Sequence, residues 1–323
     1  MFLVAPDSFK GTFSAATVAH AIARGIRAES GIAREMPVAD GGEGTLDALA
    51  EPLGLGIVVV DSVNPWGVPA SGRYGLSDSG TALIEIASVS GITTVHNGFR
   101  DPIAASTRGT GILVVDAYRR GARHIVIAAG GSATTDGGAG AIEAIEDAGG
   151  LSGARVEVLT DVTTTYLDAA QVFGPQKGAN TLAVNELTGR LDTFASTLPK
   201  DPRGVPGTGA AGGFAGGMWA QFDAALRSGA DFVLDAIGFG DALTQASAVI
   251  VGEGRLDSQS AAGKIVSAIL ARADAVPVIA VVGSVGDDLG AYRDRFFDVL
   301  VATDRQAMTE AGKTLARKVR VQS

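Results

Sequence analysis

The sequence of 323 residues contains no cysteine, which excludes disulfide bonds and thiolate chemistry. This composition fits the reducing cytoplasm, and we expect a cytoplasmic protein. Residues 1–4 carry neither a basic segment nor a long apolar one, so we expect no signal peptide. The longest apolar run, around residues 275–282, is too short to cross a membrane.

Positive charge and histidine are also scarce. The chain has 26 Lys and Arg against 35 Asp and Glu, for a net charge of −9. Nucleic acids and anionic membranes bind basic surfaces, so we expect neither as a partner. The histidines His20, His96 and His124 lack the spacing of metal ligands, which favours structural or surface roles. The chain also lacks a Gly-x-Ser-x-Gly motif, so a hydrolase triad is not supported.

Apolar residues make up 46% of the chain and charged residues 19%, which predicts an ordered protein with a large core. Short apolar runs, each followed by a turn and a helical pattern, occur at 2–5, 36–39, 249–251, 278–282 and 298–301. This pattern is typical of buried strands in a parallel sheet. Because two runs come early and three come late, we expect one five-stranded sheet that is interrupted in sequence.

The sequence therefore predicts an α/β protein of two α/β domains. The first, residues 1–57 and 236–323, contains the parallel sheet in a Rossmann- or flavodoxin-like arrangement. The second, residues 58–235, is a mixed α/β insertion. It begins with a hairpin around the turn at 64–67 and later has a strand at 124–129.

Four glycine-rich polar loops follow predicted strands, at residues 5–11, 38–44, 129–134 and 252–264. Glycines let backbone N–H groups approach an anion, lysine neutralises phosphate, and carboxylates hold a metal or accept a proton. Ligands of open α/β sheets bind at the carboxyl ends of strands. We therefore expect one composite site for a phosphorylated ligand. The GTGAAG segment at 207–212 follows a proline-rich stretch rather than a strand, so it fits an anion loop better than a dinucleotide fingerprint.

Six motifs run in one order along nearly the whole chain: 5–11 (APDSFKG), 39–45 (ADGGEGT), 130–138 (GGSATTDGG), 173–179 (FGPQKGA), 207–213 (GTGAAGG) and 252–259 (GEGRLDSQ). On these motifs the chain resembles the type I glycerate kinases, bacterial enzymes that phosphorylate D-glycerate with ATP. The resemblance implies two α/β domains with the site in a cleft between them. It also implies 2-phosphoglycerate as product, and the chemistry calls for ATP with Mg²⁺.

The motifs supply a candidate residue for each part of this reaction. The catalytic candidates are Asp257, Lys10, Asp7 and Lys177. The cofactor-binding candidates are Gly130, Gly131, Ser132, Thr134, Gly209 and Gly212. The substrate-binding candidates are Ser8, Asp40, Glu43, Glu253 and Arg255, and Asp40 and Glu43 are also the candidate Mg²⁺ ligands.

Particular roles follow for some of these residues. We expect Asp257 to orient the attacking hydroxyl, and Lys10 and Lys177 to clamp phosphate or carboxylate groups. Alternatives stay open: Asp257 is also placed to cap a helix beginning near Ser260, and a surface ion pair explains Arg255 equally well. Asp136 is placed to cap the helix that begins near Gly137.

The chain departs from the family pattern in three places. A helical segment is missing after Gly149, residues 163–166 (TTTY) replace an Asn-Pro-Leu stretch, and the proline usual after Lys264 is absent. Two alternatives to a D-glycerate kinase therefore remain: a kinase for another small hydroxy acid, and a non-catalytic ligand-binding or regulatory relative. A homodimer is left open.

Overall fold

A computed structural model of the chain describes residues 1–9, 11–94, 100–257 and 264–320. The chain divides into two compact units, Met1–Asp40 with Ala230–Ser323, and Gly41–Gly229. We call them the first and the second unit. The sequence predicts domain limits at residues 58 and 235, whereas residues 41–57 here belong to the second unit.

The strands in the described residues are β1 (Phe2–Pro6), β2 (Ala33–Glu35), β3 (Leu55–Val63), β4 (Pro69–Ser77), β5 (Thr81–Glu85), β6 (His124–Ala128), β7 (Arg155–Leu159), β8 (Ala225–Arg227), β9 (Ala248–Glu253), β10 (Val278–Val282) and β11 (Asp298–Val301). The α-helices are α1 (Ala15–Ala28), α2 (Thr45–Leu49), α3 (Ala87–Ser90), α4 (Arg108–Arg119), α5 (Ala139–Asp147), α6 (Ala169–Phe173), α7 (Thr181–Ala195), α8 (Phe214–Phe222), α9 (Gly229–Ala236), α10 (Phe239–Leu243), α11 (Lys264–Ala273) and α12 (Arg305–Arg320). Short 3₁₀ helices span Pro175–Lys177 and Gly290–Arg295.

The first unit contains a five-stranded sheet in the order β11-β10-β9-β1-β2, and every pair of neighbours is parallel. Numbered within the unit, this is the flavodoxin-like order 2-1-3-4-5, which confirms the predicted fold class. Strands β1 and β10 are buried along their whole length, as their continuous apolar sequences predict. The strand order reverses between β1 and β9, and ligands of such sheets bind beside that point.

The second strand of this sheet lies earlier than predicted. The apolar run at 36–39 predicts a strand there, but β2 spans Ala33–Glu35. The prediction was wrong because β2 lies at the edge of the sheet, where a charged, partly exposed strand is tolerated. The apolar residues after it instead form a buried extension, in which Met36 N–H donates to the Val4 carbonyl and Val38 N–H to the Pro6 carbonyl.

Helix α1 is built as the sequence predicts. Ser14 is its N-cap, and the Ser14 hydroxyl accepts the Thr17 N–H at 3.3 Å. The apolar face of α1 packs against α12. At their crossing a Cβ on Gly25 would overlap the carbonyl oxygen of Thr309, and one on Gly312 would overlap that of Ile22. The two helices therefore touch through their backbones, with no space for a side chain.

The second unit contains a mixed sheet in the order β3-β4-β5-β6-β7-β8. Strands β3, β4 and β5 are antiparallel neighbours, and β5 to β8 are parallel. The predicted hairpin turn at 64–67 joins β3 to β4, where Asn64 N–H donates to the Val68 carbonyl. The parallel part brings the carboxyl ends of β5, β6 and β7 to one edge. Among the described helices, none has the length and apolarity needed to cross a membrane.

The close crossing of α1 and α12 predicts that a Gly→Ala substitution there lowers stability, although helix propensity alone predicts an increase. Alanine is favoured over glycine inside a helix by about 0.8–1 kcal/mol. Gly25→Ala should nevertheless destabilise the protein by about 1–3 kcal/mol, because the Thr309 backbone cannot move aside for the added methyl group. Urea denaturation measures the effect.

The matched control is Gly189→Ala in α7, where a Cβ would have no neighbour within 4 Å. This substitution should stabilise the protein by about 0.5–1 kcal/mol. A stabilising Gly25→Ala would show that the two helices do not cross through their backbones.

Candidate functional site

Lys177 is a buried lysine whose side chain points into the second unit. It ends the 3₁₀ helix Pro175–Lys177 and is 7% exposed. The Nζ donates hydrogen bonds to the Ser132 Oγ at 3.0 Å and to the Thr134 carbonyl oxygen at 2.6 Å. Two motifs that are distant in sequence, 130–134 and 173–179, therefore meet at one point.

The surroundings of Lys177 disfavour its protonated, charged form. Burial lowers the pKa of Lys177 to about 7, and the negative charge of Asp136 opposes this shift only in part. The hydrogen-bond partners of the ammonium group, a hydroxyl and a carbonyl, are uncharged. An anion bound beside Nζ would restore the charged form, so the arrangement is chemically suited to a phosphate or a carboxylate.

The loop at 130–134 follows β6 and approaches neighbouring backbone closely. A Cβ on Gly130 would lie 2.6 Å from the Gly42 Cα, and Gly131 has a φ of +79°, so both positions favour glycine. The Thr134 hydroxyl is buried and has no hydrogen-bond partner among the described residues. Such an unsatisfied group costs about 1–3 kcal/mol, a cost that a bound polar ligand removes.

Gly209 and Gly212 belong to a loop that packs directly on the 130–134 loop. A Cβ on Gly212 would overlap the Thr134 carbonyl oxygen, and one on Gly209 would overlap the Thr165 carbonyl oxygen. The Gly212 carbonyl accepts the Gly137 N–H at 3.0 Å. The structure therefore packs Gly212 on the predicted phosphate loop, whereas Gly209 packs on residues 164–165.

Asp136 ties the same region to α4, as a capping residue does. Its carboxylate accepts N–H bonds from Thr107, Gly138 and Gly140 and a hydroxyl bond from Thr107. Tyr166 lies beside it, fully buried, and donates its hydroxyl to the Gly137 carbonyl at 3.2 Å. We did not predict this tyrosine as part of the site, because its contacts come from segments distant in sequence.

Glu43 is exposed at the tip of the turn that precedes α2, where it is free to meet a ligand. The buried carboxylate near this turn is another residue, Glu85, at the carboxyl end of β5. Its Oε1 accepts the N–H groups of Gly44 at 2.8 Å and Leu46 at 2.9 Å. Burial raises the pKa of Glu85, although these two bonds oppose the shift. We did not predict Glu85, although an acidic residue at the end of an apolar run was a usable signal.

In the first unit, Asp7 and Ser8 lie at the carboxyl end of β1, beside β9. Asp7 is buried, donates its N–H to the Gly252 carbonyl at 2.8 Å, and accepts the Ser8 N–H on Oδ1 at 2.6 Å. Glu253 is the last residue of β9. Burial and, to a lesser degree, the charge of Glu253 raise the pKa of Tyr292. Carboxylates therefore border the point where the strand order reverses.

Asp257 stands on a firmly held piece of backbone. The preceding Leu256 donates its N–H to the Ser284 carbonyl at 2.9 Å and accepts the Gly286 N–H at 2.8 Å. The Asp257 Oδ2 lies 3.0 Å from the Nε of Arg255, and their side chains are 20% and 66% exposed. This contact agrees with the ion-pair alternative for Arg255.

The structure gives fewer contacts for the remaining candidates. Lys10 and Ser260 lie outside the described residues. Asp40 is half-buried and belongs to the first unit, whereas Glu43 belongs to the second. Within the described ranges, no group of three or more His, Asp and Glu side chains is placed to hold a metal ion. Both described histidines face a glutamate: His20 lies 3.5 Å from Glu35, and His124 lies 3.2 Å from Glu157.

Comparison with known proteins decides the family. The model of the glycerate kinase family matches residues 2–147 and 146–320. The chain belongs to the glycerate kinase family. It is 36% identical to the glycerate 2-kinase of Escherichia coli, covering 92% of this chain and 89% of that protein. It is 37% identical to a glycerate kinase of Halalkalibacterium halodurans, covering 92% of this chain and 88% of that protein.

A solved structure agrees with these relatives. The crystal structure of a candidate glycerate kinase 2 from Salmonella typhimurium LT2 superposes with a TM-score of 0.85 at 32% identity, over 99% of this chain and 98% of that one. The resemblance and the expectation of an enzyme, a glycerate kinase, are confirmed. The two matched segments meet at residues 146–147, at the end of α5 and next to the predicted missing segment.

The lowered pKa of Lys177 predicts how stability depends on pH. The unfolded chain binds this proton more tightly, with an ordinary pKa of 10.5 against about 7 in the folded protein. Stability from this group should therefore rise with pH across that interval, by about 1.4 kcal/mol per pH unit, and be flat below it.

The Lys177→Met variant should lack this rise. The difference between the urea-denaturation free energies of wild type and variant, measured from pH 6 to pH 10, isolates the contribution of Lys177. A pH-independent difference would contradict a lysine buried in this way.

Proposed function

We propose that the protein transfers the γ-phosphoryl group of ATP to D-glycerate and releases 2-phosphoglycerate. The observation that carries this proposal is the buried Lys177, hydrogen-bonded to uncharged groups of a glycine-rich loop. The name of the Escherichia coli relative, glycerate 2-kinase, supports transfer to the 2-hydroxyl.

The phosphate groups of ATP have a suitable set of partners in the second unit. Lys177 supplies a positive charge that an arriving anion stabilises, and the buried Thr134 hydroxyl gains a hydrogen-bond partner, which it has nowhere among the described residues. Gly130 and Gly131 permit backbone N–H groups to approach the phosphates closely, together with the Ser132 hydroxyl. Gly212 packs against the backbone of this loop at Thr134. We assign Gly209, which packs on residues 164–165, to the same nucleotide site as a proposal.

We assign glycerate to the carboxylate-bearing loops of the first unit. Asp7, Ser8, Glu253 and Arg255 provide acceptors and a cation for its hydroxyl and carboxylate groups, and we assign Lys10 to its carboxylate. Asp257 orients the hydroxyl that attacks phosphorus. Phosphoryl transfer passes through a loose transition state, so orientation counts more than basicity, and an aspartate suffices.

Magnesium fits this chain only if the phosphates supply part of its coordination. Mg²⁺ in such sites is held by one or two carboxylates together with substrate phosphates and waters. Among the described residues, no three acidic or histidine side chains lie together as metal ligands, so the protein alone would not complete the coordination of a metal ion. We propose Asp40 and Glu43 as the protein ligands, and the bound ion would neutralise phosphate charge. The interdomain cleft, the cytoplasmic location and the homodimer stay predictions.

The first test is turnover. Purified protein with ATP and Mg²⁺ should consume ATP in the presence of D-glycerate and not of L-glycerate. Phosphorus–proton coupling in the NMR spectrum of the product should place phosphate on C2. Preference for another acid in a panel of small hydroxy acids would support a different acceptor. No turnover with any acid, despite nucleotide binding, would support the non-catalytic alternative.

Substitution of Asp257 tests its assigned role. Asp257→Asn should lower kcat by at least ~10²-fold and leave the Kd of ATP nearly unchanged, because orientation of the acceptor is lost while the donor loop is intact. The matched control is Asp287→Asn, an exposed aspartate in the loop after β10, which should keep wild-type kcat. Near-wild-type kcat in Asp257→Asn would reduce Asp257 to a capping or ion-pair residue.

A further inference from the structure

Glu85 is a buried carboxylate to which the chemistry above gives no part. It is 4% exposed, at the carboxyl end of β5, and next in the sheet is β6, which leads into the 130–134 loop. Burying a carboxylate costs several kcal/mol unless hydrogen bonds satisfy it. Here a single oxygen, Oε1, accepts the N–H groups of both Gly44 and Leu46.

These two bonds hold a turn, Gly41 to Leu46, that carries Glu43 at its tip. The turn is tight: Gly44 has a φ of +97°, and the Thr45 hydroxyl donates to the Gly42 carbonyl at 2.7 Å. Glu43 lies between the Gly42 carbonyl and the Gly44 N–H, so both of its neighbours are fixed. The backbone that carries the exposed Glu43 side chain is therefore held on one side by Thr45 and on the other by Glu85.

The same turn is in contact with the phosphate loop on its other side. The Gly130 N–H donates to the Gly41 carbonyl at 3.4 Å, and the Gly130 Cα has space only for hydrogen because Gly42 lies against it. A change at Glu85 would therefore reach both Glu43 and the 130–134 loop.

The charges nearest Glu85 belong to Arg73 and Asp47, which act on it with opposite signs. They also pair with each other, with the Arg73 Nη2 3.0 Å from the Asp47 Oδ1. Both charges affect the pKa of Glu85 less than burial and the two backbone hydrogen bonds do. What holds the carboxylate in place is its pair of backbone hydrogen bonds.

We propose that Glu85 is a positioning residue, which fixes the turn from Gly41 to Leu46 against Gly130 and so aims Glu43 at the Mg²⁺ of the bound nucleotide. This inference rests on the function proposed above for the part that concerns Mg²⁺. The part that concerns the turn does not depend on it, and the two are tested separately.

The first experiment is amide hydrogen exchange on the protein without ligands, followed by mass spectrometry. In Glu85→Ala, peptides that contain Gly44 and Leu46 should exchange at least ~10-fold faster than in wild type, because two N–H groups lose their acceptor. Glu85→Gln keeps an oxygen acceptor and should restore most of the protection. Asp47→Asn, which removes a nearby exposed charge, should leave it unchanged.

Unchanged exchange in Glu85→Ala would overturn the positioning role, whatever the activity of the protein. Loss of protection over the whole chain would mean that the variant unfolds. The Glu85→Leu variant, which fills similar space without an acceptor, then decides: native protection elsewhere with loss at Gly44 and Leu46 supports the role, and wild-type protection at both overturns it.

The second experiment is the Mg²⁺ dependence of turnover at saturating ATP and D-glycerate. Glu85→Ala and Glu85→Gln should raise the half-saturating Mg²⁺ concentration by about tenfold and about threefold respectively, with the KM for D-glycerate nearly constant. Glu43→Gln, which alters the proposed ligand itself, should raise it as well. An unchanged Mg²⁺ requirement together with lost protection would show that the turn is held for stability alone. If the wild-type protein does not phosphorylate D-glycerate, the proposed function fails, while hydrogen exchange still tests Glu85.

Discussion

The Nζ of Lys177 lies in the interior of the second unit, and its described hydrogen-bond partners are a hydroxyl and a backbone carbonyl. An ammonium group in such a place gives up most of its hydration, and its lowered pKa expresses that cost. One of these two partners, the Thr134 carbonyl, lies where the 130–134 and 207–213 loops pack backbone to backbone at Gly212, so that packing holds it in place.

That packing explains the glycines better than a ligand contact does. At Gly212 and Gly130 a methyl group would strike the backbone of a neighbouring loop, so glycine is required before any ligand is considered. The resemblance of residues 207–212 to a dinucleotide fingerprint has the same origin. Close approach of two backbones and close approach of a backbone to a phosphate place the same demand on a residue. A motif of this kind indicates close backbone packing, and the adjacent lysine is the reason we propose an anion site there.

The sequence predicted those strands whose own residues show that they are buried. Strands β1, β9 and β10 are continuous apolar runs because they are buried on both faces, and they were predicted. Strand β2 was misplaced because an edge strand needs no such pattern. Lys177 and Ser132 were predicted to belong to the same site, but their hydrogen bond was not predicted. Tyr166 was missed because its partner is more than 25 residues away in sequence. The partners of Glu85 are equally distant, and its place at the end of an apolar run was the local signal that could have indicated it.

Charge balance gives a physical reason for the metal in the proposed reaction. Glycerate and ATP bring several negative charges to a chain whose own net charge is −9. Lys177 supplies at most one positive charge, and burial lowers its pKa to about 7. The charge of Arg255 is already shared with Asp257. Backbone N–H dipoles reduce the deficit but do not remove it. A divalent cation brought in with the nucleotide removes most of it, and its binding would then depend on how firmly the turn that bears Glu43 is held.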